Sequence, residues 1–385
     1  MTLPRILVYN PGHEEALPLA PKATYTPPRI VWRMMTDLGL LARFEATPED
    51  LIYIPNGSFE VFTLYDHKGN SVPTESATET YRLSLWGAEP HTAEYIRSSL
   101  QAKGINVLSP VFPPEIAKLS HRALAAAGMH SMGLPARNIP VWISCPEEME
   151  CSLANFKKQG ITHLLAKLPF TGSGRGLISI ELPVEKQLEE KLLKALKKYG
   201  SISIEPFLNV SENWATEWYC DGKGAVVFTA LSHFITRTNG AYDGNILAPQ
   251  SRLYNLLESK CRSAKTDLSD LLDKQQRFLS SVYNNYNGFL GVDMFFHTDD
   301  TGNIHLHPCV EINVRQTMGL LAHQIYEALS LAPKIYRFCL HIAANPLKLE
   351  LRLPDITGVD GYIPLTPIQK ETTAHAYLLP YTGTF

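Results

Sequence analysis

Apolar positions alternate with polar ones in several short stretches, and between them they recur at helical spacing. Residues 5–9 form a short apolar run that ends at Asn10-Pro11-Gly12, a turn signal. Positions 28–41 carry Ile30, Met34, Leu38 and Leu41 at helical spacing, opened by prolines and with Gly39 near the end. A second strand is predicted over 50–54, a helix over 91–103 stopped by Gly104, and a strand over 106–108. Strands alternating with helices predict an open α/β layer over about the first hundred residues.

The run 109–114, Ser-Pro-Val-Phe-Pro-Pro, reads as a linker. A helix over 115–127 follows, then an exit rich in glycine and proline (Gly128, Gly133, Pro135) into a strand over 141–143. Strands over 163–168 and 177–182 flank a glycine loop at 171–176, with a helix over 184–199 and a strand over 201–205 beyond. Residues 214–220 and 225–231 form a hairpin around Asp221-Gly222-Lys223-Gly224. A long amphipathic stretch over about 253–283 breaks at Gly288 and leads to a strand over 292–297. After the turn Asp299-Asp300-Thr301-Gly302, a run over 305–315 is polar or Cys at every odd position and mostly apolar at even ones. A helix over 319–329 and the segment to 344 complete the core. The last forty or so residues, punctuated by proline, predict an extended tail packed on it.

The 305–315 run has one functional face and one core face. It ends in Glu311, Asn313 and Arg315, two oxygen donors and a guanidinium able to hold Mg²⁺ and an anion together. Asp293 alternates onto the same side of the preceding strand and, in an antiparallel hairpin, stands across from Glu311 to share the cation. A zinc set of His305, His307 and Cys309 is disfavoured, because ligands two apart on one extended strand splay by about 7 Å. These histidines read as satisfied polar residues, and Cys309 as a packing residue.

Gly172-Ser173-Gly174-Arg175-Gly176 is followed by a strand, not a helix, which argues against a dinucleotide-binding fingerprint. It lacks the Gly-Lys-Ser/Thr ending of a Walker loop. A glycine flap at a hairpin tip remains, its bare N–H groups able to close over phosphates, with Lys167 on the entering strand in reach of them. A flexible hairpin tip with a surface lysine is the bland alternative.

Composition narrows the classes further. At 385 residues the chain has room for two or three domains, and 45% hydrophobic with 19% charged residues is ordinary globular usage. A net charge of −3 gives nucleic-acid binding no support. The six cysteines are scattered without CxxC, which predicts reduced thiols in a reducing compartment. No apolar run has the length of a membrane helix, and the start is too short for a signal-peptide core; the expectation is a cytoplasmic protein.

Taken in order, the lysine strand, the flap, Glu205-Pro206-Phe207-Leu208, the Asp293 strand and Glu311-Ile312-Asn313-Val314-Arg315 resemble the ATP-grasp superfamily over residues 113–345. The resemblance implies a mixed α/β and α+β architecture. An open α/β, Rossmann-like pre-ATP-grasp domain (1–112) precedes a two-subdomain ATP-grasp fold. Its lysine strand and flap fall in 113–200, its metal site in 201–345, and 346–385 is the tail. It implies ATP with Mg²⁺, two ions as is usual in the family, or Mn²⁺ in their place. Lys167, Gly172, Ser173, Gly174 and Gly176 then match the phosphate contacts. Glu205, Pro206 and Leu208 match the adenine hinge, and Asp293, Glu311 and Asn313 the metal ligands. Arg315 matches the arginine that steadies the transferred phosphoryl, and with Lys167 makes up the catalytic pair. Ser120-His121-Arg122 stands where family members often have Ser-Asp-Lys, so Arg122 takes the place of a phosphate-binding lysine with forked geometry. Glu212 or Asn213 falls where ribose is held.

The N-terminal Asn10-Pro-Gly-His-Glu-Glu-Ala-Leu17 also resembles a group of uncharacterised ATP-grasp-like proteins. The implied reaction joins small-molecule carboxylate and amine substrates through an acyl-phosphate. A small-molecule kinase of the same fold, with Asp243 as base, and a non-catalytic nucleotide-binding module are the alternatives. Acceptor recognition is expected from the loop 234–249 (Arg237, Asn239, Tyr242, Asp243, Asn245), with a solvated loop as the alternative. For His13 and Glu14, after the first strand, a turn capped by polar side chains is the favoured reading and a place in the same cleft the alternative. No nucleic-acid or membrane partner is implied, and an oligomer is left open.

Overall fold

The computed structural model describes residues 3–19, 24–172, 176–238 and 240–383. Among them the strands form three sheets. The first holds β1 (Arg5–Val8), β2 (Leu51–Pro55), β3 (Phe62–Tyr65), β4 (Ser71–Val72), β5 (Thr80–Leu85) and β6 (Asn106–Leu108), in the order β4-β3-β2-β1-β5-β6. β1 pairs in parallel with β2 on one side and β5 on the other. The chain therefore changes direction across the sheet between β1 and β5, which opens a crevice beyond their C-terminal ends. The sequence pattern predicts neither β3–β4 nor β5, although Tyr81 and Leu83, both buried, alternate with Arg82 and Ser84 as a half-buried strand requires. The predicted helix 28–41 is α-helical over Arg29–Leu38 and tightens into a 3₁₀ turn over Gly39–Phe44.

The second sheet is small and antiparallel: β7 (Val141–Ile143), β8 (His163–Lys167), β9 (Leu177–Glu181) and β10 (Ile202–Pro206), ordered β7-β10-β8-β9. Helices Pro146–Lys158 and Lys186–Tyr199 cover it through Met149, Phe156, Leu192 and Leu196. β10 pairs with both β7 and β8, so this unit continues past residue 200 to Pro206.

The third sheet holds β11 (Asn209–Asp221), β12 (Val226–Thr236), β13 (Tyr242–Leu247), β14 (Asn287–Thr298), β15 (Ile304–Asn313), β16 (Tyr336–Ile342), β17 (Ile363–Pro364) and β18 (Ala374–Pro380). Their order is β15-β14-β11-β12-β13-β16-β18-β17. Trp214, Trp218, Val292, Met294 and Phe296 pack one face into the main core. The stretch 253–283 is two helices there, Gln250–Ser263 and Leu268–Val282, separated where Lys265 takes a left-handed φ of 55°. The helix predicted over 115–127 is likewise split into Ile116–Leu119 and Ala123–Ser131, and Arg122 sits at the break.

The C-terminal segment is built into the third sheet, where β18 pairs along β16 from Ile342↔Ala374 to Tyr336↔Pro380. Ala374, Ala376 and Leu378 are fully buried, but two of these three are alanines and mark a core face weakly in sequence. They share a cluster with Leu38 and Leu41 of helix Arg29–Leu38 and its 3₁₀ turn, with Tyr9 and Trp86 just past β1 and β5, and with Leu321 and Ile325 of helix Met318–Ala328. The first and third sheets are thus joined by a common core. Ending the chain after Thr373 removes β18 and opens that core, and the truncated protein is expected to lose its cooperative thermal transition in circular dichroism.

Candidate active site

The register of β14 and β15 builds the site. Asp293 stands directly across from Glu311 and Gly291 from Asn313, whereas two residues on, Phe295 pairs with His307. Three residues of β15, Pro308–Val310, thus stand against Met294 alone on β14, a bulge that suits a proline lacking an N–H. Gln275 secures it, donating to the Pro308 carbonyl at 2.9 Å. The bulge interrupts the alternation predicted over 305–315 and turns Cys309 into the core, where a Cβ on Gly128 would lie 3.0 Å from its Sγ. His305 instead meets Asp299 at 2.8 Å. Among the described residues no three His, Cys, Asp or Glu side chains are grouped to hold a metal. The zinc set fails for this reason, beyond the splay of an extended strand.

Paired charges line the space between the three sheets. Lys167, at the end of β8, lies 2.5 Å from Glu205 of β10, and both are buried. Arg122 donates from Nη2 to Glu311 Oε1 at 2.7 Å and to the Thr171 carbonyl at 2.5 Å. Its Nε and Nη1 are buried and find no acceptor among the described residues. Arg315 donates from Nη2 to Asn313 Oδ1 at 2.8 Å and from Nε to Glu14 Oε1 at 3.2 Å. Asp293 is left facing Glu311, and burial first, then the Glu311 charge, push its carboxyl up to about 7 against the opposing pull of Arg315. Two carboxylates and an amide, one acid destabilised by want of positive charge, are a donor set that fits Mg²⁺. The unsatisfied donors of Arg122 likewise fit an anion.

The other predicted residues fall in different places. Gly172 borders Glu14, and Gly176 has a φ of 78°, a conformation that glycine adopts without strain. Ser173 and Gly174, and Asn239 in the acceptor loop, lie outside the described residues. Pro206 closes β10 opposite Leu164, and Phe207 N–H donates to the His163 carbonyl at 3.0 Å, which leads Leu208 on toward β11. Glu212 is drawn to Lys260 of helix Gln250–Ser263 and accepts from Trp214 Nε1 at 3.3 Å, apart from the Asp293–Glu311 face. Most of 234–249 is strand, not loop. Arg237 pairs with Asp243 at 2.8 Å, Arg337 holds the other Asp243 oxygen, and the Tyr242 hydroxyl is bonded to Asn245. His13 is buried against Gly87, whose missing side chain makes the room: a Cβ would come within 2.0 Å of the imidazole.

Sequence reasoning passed over Glu217 and read His307 only as a satisfied polar residue. Glu217 on β11 is buried and its carboxyl is raised to about 8 by burial; Thr317 donates to it at 2.7 Å. A Cβ on Gly291 or Gly319 would strike that carboxylate, so two glycines clear its space. A lone acid between Thr216 and Trp218 in an apolar strand was the available signal. His307 is also buried and lowered to about 3, by burial and then by the Lys167 charge, so it is a neutral ring beside Phe295 at 4.8 Å. No sequence period pointed to that pair, because the bulge decides it.

No protein-family model matches the chain, and no curated protein matches it in sequence. Solved structures do. N5-carboxyaminoimidazole synthetase from Staphylococcus aureus complexed with ADP is similar over 100% of this chain and 95% of that one, with 11% identity and a TM-score of 0.51. A second structure of that enzyme matches over 100% and 96%, with 12% identity and a TM-score of 0.50. At these identities it is the fold that is shared. The chain has an N-terminal α/β domain followed by an ATP-grasp fold, the architecture its motifs resemble.

The Asp293 carboxyl sets a pH dependence in metal-free protein. Its folded-state value of about 7 lies above the unfolded value, so the folded chain binds the extra proton and loses stability as pH rises from about 4 through about 7. Asp293→Asn should flatten that decline and raise the melting temperature at about pH 8, by the equivalent of about 1–3 kcal/mol. Added Mg²⁺ should stabilise the wild type at that pH more than the variant, read by thermal denaturation across the pH series.

Proposed function

We propose that this protein is an ATP- and Mg²⁺-dependent ligase that joins a carboxylate to an amine through an acyl-phosphate. The observation that carries the reading is Arg122, a buried guanidinium whose Nε and Nη1 find no acceptor among the described residues. It is held by Glu311 and by the Thr171 carbonyl at the foot of the flap. Such donors are costly to bury without an acceptor, and a phosphate supplies one.

In this reading Lys167 and Arg122 exchange their carboxylate partners for the nucleotide phosphates. Glu205, Pro206 and Leu208 would hold adenine. The ADP bound to the similar Staphylococcus aureus enzyme supports a nucleotide in this cleft. Asp293, Glu311 and Asn313 would hold the metal, two ions by family analogy, whose charge offsets that of the phosphates. Arg315 steadies the transferred phosphoryl. The chain's work is positioning and charge stabilisation, so no side-chain nucleophile is required. Residues 1–112 would present the acceptors. Small-molecule substrates, free thiols at the described cysteines and the absence of any described helix able to cross a membrane support a cytoplasmic enzyme.

The kinase alternative loses its base: Asp243 is held by Arg237 and Arg337 at both oxygens. Arg122→Ala should weaken a non-hydrolysable ATP analogue at least about tenfold in calorimetry. Glu311→Ala should abolish ATP turnover with every carboxylate–amine pair that supports it. An amide with ADP as products bears out the ligase; a stable phosphoester, or turnover that survives Glu311→Ala, refutes it.

A further inference from the structure

Glu14 stands where the three units meet. It follows β1 in the crevice between β1 and β5, its Oε1 is 3.2 Å from Arg315 Nε, and a Cβ on Gly172 would come within 2.5 Å of the same oxygen. Its side chain is 15% exposed, enough to meet a ligand in the cleft. The Tyr9 ring, buried against Trp86, carries a hydroxyl that feels both the Arg315 and the Glu14 charge. We propose that Glu14 binds the attacking amine of the acceptor as its ammonium and takes one proton from it. The proposal rests on the ligase reading.

The argument is one of charge at a fixed place. Arg315 is the cation positioned for the phosphoryl group, and in this structure it is shared with Glu14. When a phosphorylated carboxylate reaches Arg315, two anions lie on one guanidinium. An acceptor that brings its own positive charge between them is attracted to both, whereas a hydroxyl acceptor brings none. Glu14 therefore selects for a cationic acceptor and sets it beside the reacting carbon. The ammonium gives one proton to the Glu14 carboxylate, and the freed nitrogen lone pair attacks the acyl carbon. The C–N bond forms, and the C–O bond to phosphate breaks with its electron pair on the departing phosphate. The second proton lost from nitrogen goes to that phosphate.

The test uses the full chain with Mg²⁺ and a non-hydrolysable ATP analogue, whose binding is measured first. Failure of the wild type to bind the analogue rejects the ligase reading itself. Matched probes are then titrated calorimetrically into the complex: propylamine against 1-propanol, and ethylenediamine against ethylene glycol. The wild type should bind the ammonium probes at least about tenfold more tightly than their hydroxyl partners. Glu14→Gln should lose that preference and Glu14→Asp retain part of it, each shown folded by circular dichroism. Equal binding of both classes by the wild type, no binding of any ammonium probe, or a preference that survives Glu14→Gln overturns the proposal.

Discussion

Backbone pairing between Gly87 and Arg315 joins the N-terminal sheet to the strand that carries the acidic face. Gln316 N–H donates to the Trp86 carbonyl at 2.9 Å, and the Gln316 side chain reaches Glu45. The loop after β5 is held in turn by Asn10, which accepts from Gly87 N–H at 2.9 Å and donates to the Gly87 carbonyl at 3.0 Å. His13 fits only because Gly87 has no side chain. Arg315 is thus clamped by its main chain from one domain while its guanidinium faces a residue of that same domain. The role proposed for Arg315, meeting a transferred group, calls for a support of this kind.

Charge pairing follows from that clamp. Lys167, Arg122 and Arg315 each hold a carboxylate; the Lys167–Glu205 pair lies within the second sheet, and the other two join segments far apart in the chain. Buried cations without such partners would carry a large desolvation cost, so these pairs let the cleft exist without ligand. They also make it responsive, since an incoming anion competes for each cation and leaves a carboxylate seeking positive charge. In the proposed reading, metal on the Asp293–Glu311 face and an ammonium at Glu14 would answer that demand in two places.

Much of this was legible along the chain. The Asp293–Glu311 hairpin and the β8–β9 hairpin that carries Lys167 follow from alternation and turn residues, because strand pairing across a short turn is a local matter. β5 and β18 were harder to see. One is short with polar alternates and the other is marked by alanines, and both are fixed by partners far away in sequence. The Pro308 bulge could not be read either, since a register shift appears only against the neighbouring strand. It sends Cys309 to the core and pairs His307 with Phe295.

The sequence by itself determined the order of the parts and the chemistry they carry. Residue type and spacing suffice for a carboxylate opposite a carboxylate, a guanidinium two residues on, or glycines where the backbone must stay bare. Tertiary structure alone decided which charges meet. Glu14 and Arg315 are 301 positions apart, Arg122 and Glu311 are 189 apart, and no local period links either pair. They meet because β1 and β5 open their crevice at the end of β15, and because the helix break at Arg122 aims its side chain into the same cleft.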